Sequence, residues 1–204
     1  MKVSLLLPLI IGFLAYYAMK RRRQDIAQKK VTDDFWERER QANMTRKKDI
    51  SNLNYLTFSL EELPIGKCLD SELLACEDAL KQLTEKKMLN LSAYSNTDLK
   101  LMYGAPNLPI LTACDDAYHS LGNTLLAYAT REMELSRNAD AIQILEYAMA
   151  LSIDSSQIYL LLAKLYQENN ASFKIENIIK QVSSMDESFQ KLVLPKLASC
   201  HTAE

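Results

Sequence analysis

The chain has 204 residues, of which 48% are hydrophobic, with only four Gly and five Pro. This length allows one compact domain with accessory segments. The shortage of Gly and Pro argues against a sheet-rich fold, because the turns between strands consume these residues. Ala, Leu, Lys, Glu and Gln are abundant instead, and all of them favour helices. The composition therefore predicts an all-α protein.

The formal net charge of −2 conceals an uneven distribution of charge along the chain. Residues 20–50 carry eleven Lys and Arg against six Asp and Glu, whereas residues 51–204 carry twelve against twenty. A basic segment thus precedes an acidic domain. Because a nucleic-acid-binding domain carries its positive charge on the folded part, this distribution argues against nucleic acid as a partner.

The first 20 residues predict a transmembrane anchor. Residues 3–19 read VSLLLPLIIGFLAYYAM and contain no charged side chain. The alternative is a cleaved signal peptide, which would need small residues near its exit, where Tyr16 and Tyr17 stand. Four cations that form a membrane-surface cluster come next: Lys20, Arg21, Arg22 and Arg23. Such a cluster stays in the cytoplasm and attracts anionic lipid headgroups, so we expect the N-terminus outside and the remaining chain cytoplasmic.

Residues 21–56 predict a basic, helical juxtamembrane stalk. We expect its charge-rich helix to begin at Asp33 and Asp34, because acidic side chains stabilise the positive end of a helix dipole. Phe35 and Trp36 follow, and two roles are open for them. They either dock onto the folded domain or the membrane interface, or they bind a partner.

Residues 57–204 predict a helical domain. Ser59 and Glu62 have the spacing of a capping box. Residues 70–87 predict a helix with one apolar stripe, and residues 95–104 and 110–136 predict a short and a long helix. The residues of that stripe recur at spacings of three and four: Leu69, Leu73, Cys76, Leu80 and Leu83. Near residue 115, one His beside a Cys and two Asp offers too few ligands for a metal. We therefore predict no metal and no cofactor.

The four cysteines are Cys68, Cys76, Cys114 and Cys200. They form no C-x-x-C pair and do not have the spacing of metal ligands. We expect them to be reduced and mostly buried, as free cysteines usually are.

The second half of the chain repeats itself with a period of 34 residues. Helices predicted over 122–136 and 139–152 align, without a gap, with 156–169 and 172–185. Apolar residues align with apolar ones and small residues with small ones. The aligned pairs are Leu125 with Tyr159, Tyr128 with Leu162, Ala129 with Ala163, Ala141 with Ile175, Leu145 with Ile179, and Ala148 with Val182.

This pattern resembles the tetratricopeptide repeat (TPR) family, whose 34-residue units are pairs of antiparallel helices. The second copy, residues 156–189, carries more of the family pattern than the first copy, residues 122–155. The chain departs from the family at Glu132, where an aromatic residue is usual, and at Ile153 and Glu187, where the family has Pro. The resemblance covers about a third of the chain, and both copies are degenerate. An ordinary helical bundle with a coincidental period is the alternative.

The resemblance implies an α-α superhelix that binds a protein or peptide on the concave face of the first helix of each repeat. Two copies need neighbours to bury their apolar faces. We expect helix 70–86 and the front of helix 110–136 to cap one end, and residues 187–199 to cap the other, with Phe189, Leu192 and Leu197 packed inward. The residues expected on the concave face are Asn123, Leu126, Thr130 and Met133 in the first copy and Gln157, Leu160, Lys164 and Gln167 in the second.

Two functions are compatible with this layout. The first is a membrane-anchored adaptor or scaffold with a cytoplasmic TPR-like domain. The second is a subunit or assembly factor of a membrane protein complex. An enzyme is not expected, because the only histidines are His119 and His201 and no Ser-His-Asp set, Cys-His pair or Gly-rich phosphate loop occurs.

Overall fold

The computed structural model describes residues 6–201, and side chains within that range except those of residues 6, 7, 27 and 199–201. The described chain is all-helical, which confirms the predicted fold class. Two 3₁₀ turns, Ala105–Asn107 and Ser172–Lys174, accompany the α-helices. These helices are α1 (Leu6–Met44), α2 (Ser71–Thr84), α3 (Asn96–Tyr103), α4 (Leu108–Glu134), α5 (Asn138–Ala150), α6 (Ser156–Glu168), α7 (Ile175–Val182) and α8 (Glu187–His201).

The chain divides into two compact units. The first comprises Met1–Ile50, described from residue 6, together with Ser95–Leu108. The second comprises Ser51–Tyr94 and Pro109–Glu204, described to residue 201.

The first unit is built on α1, which runs without interruption for 39 residues. The predicted helix start at Asp33 and Asp34 is therefore wrong, since both lie inside α1. No Gly or Pro occurs between residues 13 and 44, so nothing in this stretch breaks the helix. The preference of acidic residues for a helix N-terminus is too weak to start a new helix there.

Helix α3 packs against α1 within this unit. Glu39 forms an ion pair with Lys100 and accepts a hydrogen bond from the Thr97 hydroxyl. Ser95 and Asp98 form a capping box at the start of α3, as the sequence predicts for a short capped helix. After α3, Gly104 adopts a φ of +94° and passes so close to the Arg46 carbonyl that any side chain would collide with it.

The described helices contain no stretch that is both long and apolar enough to cross a membrane. Residues 3–5 of the predicted anchor segment lie outside the described residues.

The second unit surrounds one hydrophobic core to which α2 and α4–α8 all contribute. On α2, Leu73, Leu80 and Leu83 are buried as predicted. Leu69 is 90% exposed, which corrects its place in the apolar stripe. The reason is that Asp70 caps α2, so Leu69 precedes the helix and does not share its face.

The predicted capping box at Ser59 and Glu62 is also wrong. Residues 59–64 form turns, and the Ser59 hydroxyl accepts a hydrogen bond from the Glu61 N–H only two residues later. The backbone of Ser59 is bound instead by the Tyr147 hydroxyl, which lies 2.7 Å from its nitrogen and 2.9 Å from its oxygen. Tertiary hydrogen bonding therefore replaces the helix that the local pattern suggests.

The end of the unit is closed by α8, which packs against α6 and α7. Leu197 is buried and Phe189 is partly buried against the core, as expected. Leu192 is 51% exposed, which corrects the expectation that it packs inward. Val193 takes the buried position, because the helix rotates its next residue toward α6 and α7.

The cysteines are partly as expected. Cys114 is buried, whereas Cys68 and Cys76 are half-buried. The side chain of Cys200 lies outside the described ones.

Candidate partner-binding surface

The connections from α4 to α5 and from α6 to α7 have the same backbone geometry. Ser136 and Asn170, 34 positions apart, both adopt positive φ, at 60° and 54°. The following N–H groups, of Arg137 and Ala171, donate to the carbonyls of Glu132 and Tyr166, at 2.8 and 2.7 Å. These six-residue hydrogen bonds are the Schellman closure of a helix C-terminus. The turn thus recurs with the period that the sequence analysis found.

Burial at the aligned positions also agrees between the two stretches. Ile179 is the exception, being only partly buried, whereas its counterpart Leu145 is fully buried. The remaining aligned residues are all fully buried, namely Leu125, Tyr128, Ala129, Ala141 and Ala148 in the first stretch and Tyr159, Leu162, Ala163, Ile175 and Val182 in the second.

The eight residues predicted to meet a partner form two rows, one on α4 and one on α6. We call them the α4 row and the α6 row. Four of their residues are exposed, namely Asn123, Thr130, Gln157 and Lys164. The other four, Leu126, Met133, Leu160 and Gln167, are partly buried.

The apolar members of the rows border the hydrophobic core. Leu126, Met133 and Leu160 pack against it while keeping part of their surface in solvent. Such side chains add apolar area to a contact, but they cannot be changed without also changing the core. The exposed polar residues are therefore the part of each row that is free to act in recognition.

Each row is held by its own helix. The Thr130 hydroxyl donates to the Leu126 carbonyl one turn earlier, at 2.8 Å. Lys164 lies 3.6 Å from the Glu168 carboxylate one turn later. Lys164 is 63% exposed, so its ammonium group is available to an acidic partner at the cost of a weak surface pair.

Behind the α4 row, a buried polar cluster fixes the start of the domain to α4. Glu77 accepts a hydrogen bond from the Gly66 N–H at 2.8 Å. The Tyr128 hydroxyl lies 3.2 Å from the same carboxylate and 3.1 Å from the Pro64 carbonyl. Burial raises the pKa of Tyr128, so its hydroxyl stays protonated and can donate.

Glu132 departs from the family pattern, and the structure gives its surroundings. It is 1% exposed and lies 3.0 Å from Nε of Arg137, which also binds Asp140 at 2.8 Å. Lys67 reaches Asp140 from the other side, at 2.6 Å. Burial raises the pKa of Glu132, and the Arg137 guanidinium opposes this effect. A charged group therefore occupies this position because Arg137, in the adjoining turn, compensates it.

Residues predicted to face the membrane are all exposed on α1. These are Lys20, Arg21, Arg22 and Arg23. A shallow groove on the same helix is lined by Tyr17, Lys20 and Arg21 together with Gln24, Asp25 and Gln28. This arrangement places an aromatic hydroxyl beside two cations, as is usual at a lipid–water interface.

His119 lies 3.6 Å from Asp115 on α4, and Asp115 is already engaged by the Leu91 N–H at 2.9 Å. Among the described residues, no three His, Cys, Asp or Glu side chains are grouped so that they could hold a metal ion.

Comparison with protein-family models, curated proteins and solved structures gives no match for this chain. The assignment of function therefore depends on the residues and geometry described above.

Proposed function

We propose that this chain is a membrane-anchored protein–protein interaction module, an adaptor or scaffold with a TPR-like cytoplasmic domain. The observation that carries the proposal is the recurrence of one turn geometry at Ser136 and Asn170, 34 residues apart. Matching burial at the aligned helix positions supports the same interpretation. Helical repeats of this kind expose extended surfaces to partner segments, and the proposal assigns no catalytic residue.

The partner is a protein or peptide that contacts the α4 row and the α6 row. Asn123, Thr130 and Gln157 offer hydrogen-bonding groups to its backbone, and Lys164 offers a positive charge. Half-buried Leu126 and Leu160 supply apolar area beside them. Recognition of this type combines a few polar contacts with modest apolar burial.

The anchor in this proposal is the segment 3–19, with Lys20–Arg23 against the cytoplasmic headgroups. The N-terminus is outside and the domain is cytoplasmic. The charge of the chain supports this layout, because the basic residues concentrate immediately after the apolar segment.

The proposal is tested with a photo-crosslinking amino acid at Thr130 or Gln157 of the full-length, membrane-embedded protein, followed by mass spectrometry of the adducts. We expect one discrete adduct from each position, with the same protein. A second sample carries N123A and K164E as well, which should remove most of the adduct because both exposed contacts are lost.

A matched control uses the same residue types elsewhere on the domain. N177A and K180E change two exposed residues of α7 that belong to neither row. The adduct should persist in this control. Equal adduct yields from the row variant and the control would show that the two rows do not bind the partner.

The second candidate is a subunit or assembly factor of a membrane protein complex. It is favoured by large apolar side chains exposed on the second unit, with Phe173 at 74% and Ile110 at 46%. Such residues are often covered by a permanent partner. Blue-native electrophoresis after mild detergent extraction distinguishes the two, since a subunit migrates in one stoichiometric complex whereas an adaptor is released.

A further inference from the structure

A second surface of the domain, distinct from the two rows, has the form of a groove of about 750 Å³. We call it the end groove. Its lining comes from the link after α2, the α5–α6 connection, the α7–α8 connection and the first turns of α8. The lining residues are Asn90, Ser92, Ala93, Ser152, Asp154, Ser184, Met185, Asp186, Ser188, Phe189 and Leu192.

Hydrogen bonds hold the walls of the end groove in place. The buried Tyr118 hydroxyl accepts from the Asp154 N–H at 3.0 Å and from the Asn90 amide at 3.1 Å, and it donates to the Ser152 carbonyl at 3.1 Å. On the opposite wall, the Gln190 amide donates to the carbonyls of Ser183 and Met185. A groove whose walls are fixed before binding loses less conformational entropy when a ligand enters.

Two carboxylates line this groove, Asp154 and Asp186. Each accepts a hydrogen bond, from the Asn90 amide and from the Ser188 N–H respectively. Neither has a cation within ion-pair distance among residues 6–201. The Ser188 backbone and hydroxyl lower the pKa of Asp186, so it is ionised at neutral pH. The groove therefore presents two negative charges that its own walls do not neutralise.

The apolar part of the end groove is formed by α8. Leu192 is 51% exposed, and Phe189 and Met185 are partly buried beside it. Tyr159 packs its ring edge-on against Phe189, with the ring centres 5.5 Å apart, and is itself fully buried. An aromatic ring supported from behind offers a rigid apolar surface for one inserted side chain.

We propose that the end groove binds a short basic segment of a partner protein. An apolar side chain of that segment packs against Phe189 and Leu192, and an adjacent Lys or Arg lies against Asp154 and Asp186. Charge complementarity selects this occupant, because the two groove carboxylates lack a cation and the surrounding residues 51–204 carry an excess of eight negative charges. The volume fits one or two side chains of a peptide and lies within the ~300–1,000 Å³ range of ligand sites.

This proposal does not depend on the two rows, and its test uses different residues. The probe is a fluorescent seven-residue peptide with a central Phe flanked by three Lys on each side. Its binding to the full-length protein in neutral detergent is measured by fluorescence anisotropy. A peptide with Glu in place of each Lys, and one with Gly in place of Phe, separate the contributions of charge and of the apolar side chain.

We expect the Lys-Phe peptide to bind and the Glu-Phe peptide not to bind. The double variant D154N/D186N should weaken binding roughly tenfold, because both charges of the groove are lost. Asn keeps an oxygen that accepts the Asn90 and Ser188 hydrogen bonds, so the fold is preserved. Leu192→Ser, at an exposed position, should weaken the Phe peptide and leave the Gly peptide unchanged.

The matched control D78N/D116N removes the same charge from two exposed carboxylates that do not line the groove. It should retain wild-type affinity. Equal weakening by both double variants would show that the peptide only senses the net charge of the domain, and would overturn the proposal. Absence of binding by the Lys-Phe peptide would overturn it as well, whereas the crosslinking result at the two rows would be unaffected.

Discussion

At the scale of single residues, two buried tyrosines show how much the partner of a hydroxyl group matters. Tyr118 is 2% exposed, and its hydroxyl makes three hydrogen bonds at the α5–α6 connection. Tyr159 is fully buried, and its hydroxyl has no hydrogen-bond partner among the described residues. Burial raises the pKa of both side chains, so both are neutral.

Replacing each tyrosine by Phe should therefore have opposite outcomes. Tyr118→Phe should lower the free energy of unfolding by about 1–3 kcal/mol, because the buried Asp154 N–H loses its acceptor. Tyr159→Phe should leave stability within about 0.5 kcal/mol or raise it, because no bond is broken and a polar atom leaves the core. Urea unfolding of the two variants checks this, and equal losses would contradict the assignment of partners.

Asp70 gives the domain a pH-dependent contact. It caps α2 by accepting from the Glu72 and Leu73 N–H groups, and Arg131 binds it at 3.0 and 2.8 Å. The Arg131 guanidinium holds the pKa of Asp70 at about 2, below its usual 3.8. The folded state thus binds this proton less tightly than the unfolded state. The stabilisation is complete above about pH 4 and is lost as the pH falls toward 2.

We expect Asp70→Asn to flatten the pH dependence of stability between pH 4 and pH 2, while Asn retains most of the helix cap. Asp70→Ala should destabilise the domain further at pH 7, because it also removes the cap. Asp78→Asn on the same helix is the control, since Asp78 is 69% exposed and pairs only with Lys81 at the surface. A similar flattening in Asp78→Asn would contradict the special role of Asp70.

At the scale of helices and turns, the two positive-φ residues carry a measurable strain. Side chains other than Gly pay about 1–2 kcal/mol in this conformation, with Asn among the least affected. Ser136→Gly should therefore stabilise the protein by about 0.5–1 kcal/mol after the added freedom of Gly in the unfolded chain is counted. Asn170→Gly should gain less.

The same substitution at Ser120, an exposed residue inside α4, provides the control. There the backbone is helical, so Gly should destabilise by about 0.5–1 kcal/mol. Chemical denaturation of the three variants gives the comparison. A loss of stability in Ser136→Gly would show that the serine side chain contributes more than its backbone strain costs.

Helix positions were the part of the fold most accessible from sequence. The apolar stripe predicted α2 over 70–87, and the structure has Ser71–Thr84. The uninterrupted pattern over 110–136 predicted α4, observed at Leu108–Glu134. Both are set by local periodicity and by the absence of breakers, which a single sequence displays directly.

The errors arose where tertiary contacts outweigh local preference. Ser59 and Glu62 have capping-box spacing, but Tyr147 binds the Ser59 backbone and no helix forms. Glu77 lies in the buried face of α2 although it is charged, because Gly66 and Tyr128 supply its hydrogen bonds. Neither partner is close in sequence, so no local pattern indicates the contact.

The end groove could not be predicted for a related reason. Its carboxylates, Asp154 and Asp186, come from two different connections, and Asn90 comes from a third. Periodicity reveals which face of one helix is apolar, but it does not reveal which connections meet. Leu192 was assigned to the core on the same basis, and its exposure gives the groove part of its apolar surface.

At the scale of the whole molecule, the separation of charge along the chain sets the expected topology. The cations Lys20–Arg23 follow the proposed anchor directly and are exposed on α1. Cations close to an apolar segment determine its orientation, whereas cations far along the chain contribute little. The excess of negative charge on residues 51–204 does not oppose this, because acidic residues have little influence on orientation.

Replacing Lys20, Arg21, Arg22 and Arg23 by Gln should therefore produce a mixed orientation. Externally added protease should leave the domain of the wild-type protein intact in sealed cells and digest a fraction of the variant. The control removes four exposed cations of the domain, Lys81, Lys86, Lys180 and Lys191, and should remain fully protected. Digestion of the wild-type domain would reverse the topology. Full protection of the Lys20–Arg23 variant would instead show that another feature of the chain sets its orientation.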